Sequence, residues 1–211
     1  MNPFDYHLYL VTDENACLGR DLLWVVEEAV KGGVDIVQLR EKQMDSAAFI
    51  TRACRLKALL DKYNVPLIIN DNLPVAIAAD AHGIHVGNSD MPPVTVRSKW
   101  NDTAILGYSI EYEAQLGTAH AAVADYLALS PVFSTTTKTD TVTEWGLEGV
   151  ARIRQLTGKP LVAIGNISAD NAGAIIQAGA DCLAVVSAIC SAASPAKAAE
   201  ALREKIIQHK S

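Results

Sequence analysis

The stretch Pro66-Leu67-Ile68-Ile69-Asn70-Asp71 decides how the rest of the chain is read, because a short apolar run ends abruptly in a carboxamide and a carboxylate. A brief apolar run of this kind suits a buried strand, here one that delivers polar groups at its end. The pattern recurs at Gly83-Ile84-His85-Val86-Gly87, which is followed by Asn88, Ser89 and Asp90. Two carboxylates beyond two buried strands are hard oxygen ligands that suit Mg2+, an ion that keeps several waters and is completed by substrate phosphates. Asp71 and Asp90 equally suit the starts of helices, and these two runs alone leave both readings open.

Working outward, β-rich runs at His7-Thr12, Asp35-Arg40, Ile105-Ser109, Tyr126-Val132, Leu161-Gly165 and Cys182-Ser187 join Pro66-Asn70 and Gly83-Gly87 as expected strands. Between them, Leu22-Lys31, Ser46-Lys62, Ala169-Ala178 and Pro195-Gln208 carry apolar residues at helical spacing. Gly32-Gly33-Val34-Asp35, Ala81-His82-Gly83, Ala124-Asp125 and Ala178-Gly179-Ala180-Asp181 read as the turns that lead from helices into strands. About eight alternating units are what a closed parallel barrel needs. An open doubly wound sheet also alternates, but no G-x-G-x-x-G follows the first strand, and polar residues follow almost every strand. The expectation is a single-domain (β/α)8 TIM barrel over residues 1–211, with its functional residues at the strand ends.

A net charge of −6 and a pI near 5.3 argue against a surface that neutralises nucleic-acid or lipid phosphates. No apolar stretch approaches the ~18 residues of a membrane span, and Met1-Asn2-Pro3-Phe4-Asp5 does not resemble a secretory leader. Cys17, Cys54, Cys182 and Cys190 form no CxxC pair. The expected protein is cytoplasmic with reduced thiols, binds neither nucleic acid nor membrane, and any phosphate it binds is expected to be that of a small molecule. A homo-oligomer is left open.

In Val37-Gln38-Leu39-Arg40-Glu41-Lys42, alternation sends Gln38, Arg40 and Lys42 to one side of the strand. Arg and Lys beside a metal-bound anion suit a diphosphate, although Arg40, Glu41 and Lys42 also suit exposed ion pairs. Ser109 ends the fifth run, and Ser134-Thr135-Thr136-Thr137-Lys138-Thr139-Asp140 reads either as an anion grip or as a polar loop. Gly165-Asn166-Ile167-Ser168 and Val186-Ser187-Ala188 lie where barrels of this kind hold a phosphate, while Ser187 also suits a helix cap. His82 and His85 form an HxxH, but on an extended strand they face opposite sides and do not suit a zinc pair.

Taken together, the motifs resemble the thiamine-phosphate synthase family, also called thiamine-phosphate pyrophosphorylase. They are LYLVTD at Leu8-Asp13, VQLREK at Val37-Lys42, IINDN at Ile68-Asn72, GIHVGNSD at Gly83-Asp90, GYS at Gly107-Ser109, SPVFSTTTK at Ser130-Lys138, and AIGNI with AVVSAI near the end. The resemblance implies condensation of a hydroxymethylpyrimidine diphosphate with a hydroxyethylthiazole phosphate, or its carboxylated form, to give thiamine monophosphate and pyrophosphate. It implies that Gln38, Leu39, Arg40, Glu41, Lys42 and Asn70 hold the pyrimidine diphosphate and that Asp71 and Asp90 hold Mg2+. Ser109 and Lys138 would meet the diphosphate; Arg40, Lys42, Ser109 and Lys138 form the catalytic set. Thr135, Thr136, Thr137, Gly165, Asn166, Val186 and Ser187 would take the thiazole phosphate.

Asn166 stands where the family usually has a second glycine, and Ser130 precedes Pro131 where it usually has glycine. Related thiazole tautomerases of the same fold place a histidine where this chain has Glu111. A non-catalytic phosphate-ligand sensor is the other alternative, against which the retained carboxylates and lysines argue.

Overall fold

The computed structural model describes residues 4–100, 104–134 and 143–210. Its strands are β1 (Leu8–Val11), β2 (Ile36–Leu39), β3 (Leu67–Asn70), β4 (Gly83–Val86), β5 (Ile105–Ile110), β6 (Tyr126–Leu129), β7 (Leu161–Ile164) and β8 (Cys182–Val185). They pair in parallel in sequence order and close into a barrel, with β8 bonded to β1. The outer helices described are α1 (Leu22–Lys31), α2 (Ser46–Leu60), α3 (Leu73–Ala78), α4 (Pro93–Lys99), α5 (Ala119–Val123), α6 (Gly146–Leu156), α7 (Ala169–Gln177), α8 (Ser187–Cys190) and α9 (Pro195–His209). Among the described residues no helix is long and apolar enough to cross a membrane.

The alternation of each strand builds two cores. Leu10, Val37, Leu39, Leu67, Ile69, Ile84 and Leu127 point outward and meet Val25, Val26, Leu56, Ile175 and Leu202 of the helices. Tyr9, Ile36, Ile68, Tyr126, Val162 and Cys182 point inward and fill the barrel. Phe4, ahead of β1, packs on Tyr126 with ring centroids 4.4 Å apart and closes the floor. Helix ends follow local chemistry: Asp21 caps α1, and Ser194 with Pro195 starts α9. The sixth strand stops at Leu129 rather than Val132, since Pro131 has no N–H to offer a ladder.

Gly107 is required by the inner core. A Cβ there would stand 2.1 Å from Tyr126 Cζ and 2.5 Å from His85 Nδ1. Gly107→Ala is therefore expected to destabilise the fold by ~1–3 kcal/mol, the cost of overpacking, read as a lower denaturant midpoint.

At the floor, the residues that precede the even strands share one task. Asp35 accepts from the His7 and Leu8 N–H groups, Asp125 from Leu106 N–H and Asp181 from Leu161 N–H. Each also binds an arginine of a helix, Arg203 at 2.6 Å, Arg97 at 2.7 Å and Arg154 at 2.9 Å respectively. His82 fills the fourth such place: its Nδ1 accepts from Leu67 N–H at 3.1 Å. A ring that accepts there must be neutral at that nitrogen, and partial desolvation of this otherwise exposed residue, then Lys57, lowers its pKa from the ordinary 6.5. The unfolded chain binds a proton at His82 that the folded chain resists, so this contribution is complete above 6.5 and is lost as pH falls through the lowered value. Melting temperature is expected to fall on acidification from about pH 7 to 5, with a shallower slope in His82→Asn, which keeps an acceptor that does not titrate.

Candidate active site

The C-terminal ends of the strands surround a cavity of about 600 Å³ lined by residues from every strand or the segment after it. Gln38 and Arg40 enter from β2 and its end, Asn70 from β3, His85 from β4 and Ser109 from β5, all on the inward parity. Leu39 and Glu41 depart from the expected set. Leu39 is fully buried in the outer core, and Glu41 turns to Arg52 at 2.6 Å, so neither side chain lines the cavity. The reason is the strand period: both occupy the parity opposite to Gln38 and Arg40.

Asp71 follows β3 with φ 62°, a left-handed conformation that Asp tolerates better than most residues, while its N–H still donates to His85 O at 2.9 Å. This bend sets its carboxylate 2.7 Å from Lys42 Nζ and within reach of the Asn70 amide. Asn72, not Asp71, caps α3. Nor does Asp90 cap α4, whose cap position is Pro92; its Oδ2 instead accepts from Gly87 N–H at 2.8 Å and closes its own turn. Asp90 lines the same cavity as Asp71, and the two carboxyl groups influence each other's charge. Burial pushes the Asp90 pKa above the ordinary 3.8, contact with Asp71 and that group's charge push the same way, and Gly87 N–H and Lys42 oppose them.

Two carboxylates that crowd each other are a natural seat for a divalent cation. Among the described residues no cluster of three or more His, Cys, Asp or Glu could hold a metal ion. Two carboxylates at an open cavity would leave positions on such an ion for water or substrate oxygens, a donor set that suits Mg2+. The loop that carries Asp90 is braced from behind, as buried Gln115 donates to Asn88 Oδ1 and to Tyr108 Oη while its own Oε1 accepts from Glu111 and Tyr112 N–H.

Arg40 donates its N–H to Thr12 Oγ1 and keeps its guanidinium 3.6 Å from Asp13. Across the barrel, four strands away from β3 and β4, the ends of β7 and β8 present Gly165, Asn166, Val186 and Ser187 to the same cavity. Gly165 has φ 119°, and a Cβ there would meet Pro131 Cβ at 2.5 Å. Asn166 follows at φ 50°, so asparagine takes the left-handed turn in place of glycine. Ser187 opens α8 without capping it. Thr135, Thr136, Thr137 and Lys138 lie outside the described residues.

Among the cavity's polar lining residues, Tyr9 and Tyr126 escape the sequence reading, and His85 enters it only as a member of the HxxH. His85 bonds Tyr126 Oη through Nδ1 at 2.9 Å and Ser109 Oγ through Nε2 at 2.8 Å. The signal was present in the parity, since His85 pairs in register with Asn70 and alternates with Gly87. His82, by contrast, is exposed at the floor.

Fold and site together define an enzyme of the (β/α)8-barrel class with its active face at the strand C-termini. The sequence profile of the thiamine monophosphate synthase family matches residues 8–189. The chain is 48% identical over 199 residues to the thiamine-phosphate synthase of Albidiferax ferrireducens, covering 94% of this chain and 91% of that one. It is 48% identical over 197 residues to that of Vibrio parahaemolyticus, with 93% and 96% covered. Among solved structures, the thiamine phosphate pyrophosphorylase of Pyrococcus furiosus superposes with a TM-score of 0.89 at 31% identity, covering 98% of both chains. The 3-hexulose-6-phosphate synthase of Salmonella typhimurium, at 18% identity and a TM-score of 0.72, shares the fold alone. The chain belongs to the thiamine monophosphate synthase family, whose curated relatives are transferases.

Proposed function

We propose that the protein joins 4-amino-2-methyl-5-hydroxymethylpyrimidine diphosphate to 4-methyl-5-hydroxyethylthiazole phosphate, releasing pyrophosphate and thiamine monophosphate, or to the carboxylated form of that thiazole, in which case CO2 is released as well. The observation that carries this reading is the arrangement of one cavity. Asp71, Asp90, Lys42 and Arg40 stand on one side of it, and the glycine-containing turn after β7 and the start of α8 stand on the other. A diphosphate and a monophosphate can thus be held apart with their reactive centres between them. Named relatives of high identity and coverage point the same way.

In this reading the bond between the pyrimidinyl methylene carbon and the diphosphate oxygen breaks first, its electron pair leaving with pyrophosphate. The aminopyrimidine ring delocalises the charge left on the methylene, and the thiazole nitrogen lone pair then forms the new C–N bond. Arg40 binds the departing oxygens through its fork and Lys42 as a point charge, while Asn70 and Gln38 orient the ring. Asp71 and Asp90 would hold Mg2+, which supplies charge neutralisation to the leaving group when bound. Lys138 and Thr135 to Thr137 keep the roles that the family motif implies for them. The apolar side chains of Val11, Ala128, Val162, Ile164 and Ala184 line the cavity and would shield the reacting carbon from water.

The test is an assay with both substrates and Mg2+ that follows pyrophosphate and thiamine monophosphate together. Equal yields of the two products, dependent on the metal, are expected. Binding of the diphosphate without release of pyrophosphate under any divalent metal would refute the reading.

A further inference from the structure

Five buried side chains from five strands form one hydrogen-bonded line across the barrel in the inner wall of the cavity. Gln38 Nε2 donates to Tyr9 Oη at 2.9 Å, Tyr9 Oη lies 3.0 Å from Tyr126 Oη, and His85 and Ser109 follow at 2.9 and 2.8 Å. None of the five is more than 9% exposed. Each phenol has a single proton, so a line of this kind has a direction. With Gln38 donating at one end, Tyr9 donates to Tyr126, Tyr126 donates to His85 Nδ1, and His85 donates from Nε2 to Ser109 Oγ. Ser109 then accepts from within the wall, and its own proton has to leave the line on the cavity side. Burial keeps both phenols protonated, since it raises the Tyr9 and Tyr126 pKa values far above that of an ordinary phenol.

We infer that Tyr9 and Tyr126 are positioning residues. Together with the Gln38 amide they hold His85 as its neutral Nε2–H tautomer and thereby make the Ser109 hydroxyl a hydrogen-bond donor to an anionic oxygen in the cavity. That the oxygen belongs to a diphosphate rests on the function proposed above, whereas the polarity of the line does not. A site for a leaving diphosphate gains from this arrangement, because a serine that donates is prepared for an anion, whereas one that donates back to histidine would present only lone pairs to it.

The experiment has two arms. In the first, imidazole 15N chemical shifts of His85 are read in the ligand-free protein. Wild type is expected to show a protonated Nε2 and an Nδ1 that carries no proton of its own. Gln38→Glu, which is isosteric but carries an acceptor where the donor was, is expected to reverse the line and move the proton to Nδ1. In the second, Mg2+ with inorganic pyrophosphate is titrated by calorimetry into wild type, Ser109→Ala, Tyr126→Phe and the double variant. Ser109→Ala and Tyr126→Phe should each weaken pyrophosphate binding ~10- to 100-fold, and the double variant should lose no more than Ser109→Ala alone. A wild-type Nδ1–H tautomer, a proton that stays in place in Gln38→Glu, or additive losses in the second arm would overturn the inference. If wild type binds no pyrophosphate but shows the expected tautomer and its reversal, the line stands and the diphosphate reading falls.

Discussion

Arg40→Ala is expected to lower kcat ~100- to 1,000-fold, equivalent to ~2.7–4 kcal/mol of barrier, the range for losing one preorganised donor to developing negative charge. The expectation comes from where the side chain is and how loosely it is held. Arg40 lines the cavity, and its guanidinium stands 3.6 Å from Asp13, so its fork is not committed to a tight pair. Arg40 and Asp13 are both partly exposed, so removing the arginine should cost at most ~1 kcal/mol of stability. Steady-state kinetics beside thermal melts separate the two effects. Arg40→Lys keeps the charge but not the bidentate geometry and should recover only a small part of the loss. Full turnover in Arg40→Ala would remove this residue from the mechanism.

Asp90→Asn is expected to move activity and stability in opposite directions. In the free protein the Asp90 pKa is raised first by burial and then by the neighbouring Asp71 carboxylate. Asparagine keeps an oxygen for the Gly87 N–H and offers Asp71 a donor in place of a like charge. The metal-free variant should therefore melt ~1–2 °C above wild type, a small gain because solvent screens a pair that is only half-buried. Turnover should fall by ~100-fold or more, because the proposed metal loses a ligand. The sign with pH follows. A carboxylate whose folded pKa is raised opposes folding while charged, so wild type regains the difference as pH falls through that raised value, and the two melting curves should converge there. A variant that melts lower at neutral pH, or one that keeps its activity, would contradict this account of the pair.

The eight strands were legible because apolar runs of matching length alternate with helical spacing, and the structure moves their ends by only a residue or a few. Polar residues at strand ends were legible for the same reason, since a strand that ends in a buried barrel has to release them at the rim. What a contiguous motif could not convey was parity. VQLREK reads as one block, yet Leu39 joins the outer core and Glu41 turns to Arg52 while Gln38 and Arg40 face the cavity.

The line from Gln38 to Ser109 was not legible either, because Tyr9 and Tyr126 sit inside apolar runs as ordinary core aromatics and meet across 117 residues of sequence. Only barrel closure brings them together. His82, already unsuited to a metal pair with His85 by strand parity, is an acceptor for Leu67 N–H. Its kinship is with Asp35, Asp125 and Asp181, a repeat visible in the turns once strand order is known.

The central claim is that Asp71 and Asp90 share one divalent ion with a bound diphosphate. Titration of Mn2+, observed by electron paramagnetic resonance with and without inorganic pyrophosphate, tests it most directly. A single ion is expected, bound more tightly when pyrophosphate is present and lost in Asp71→Asn/Asp90→Asn. Mn2+ binding that is the same in that double variant as in wild type would contradict it.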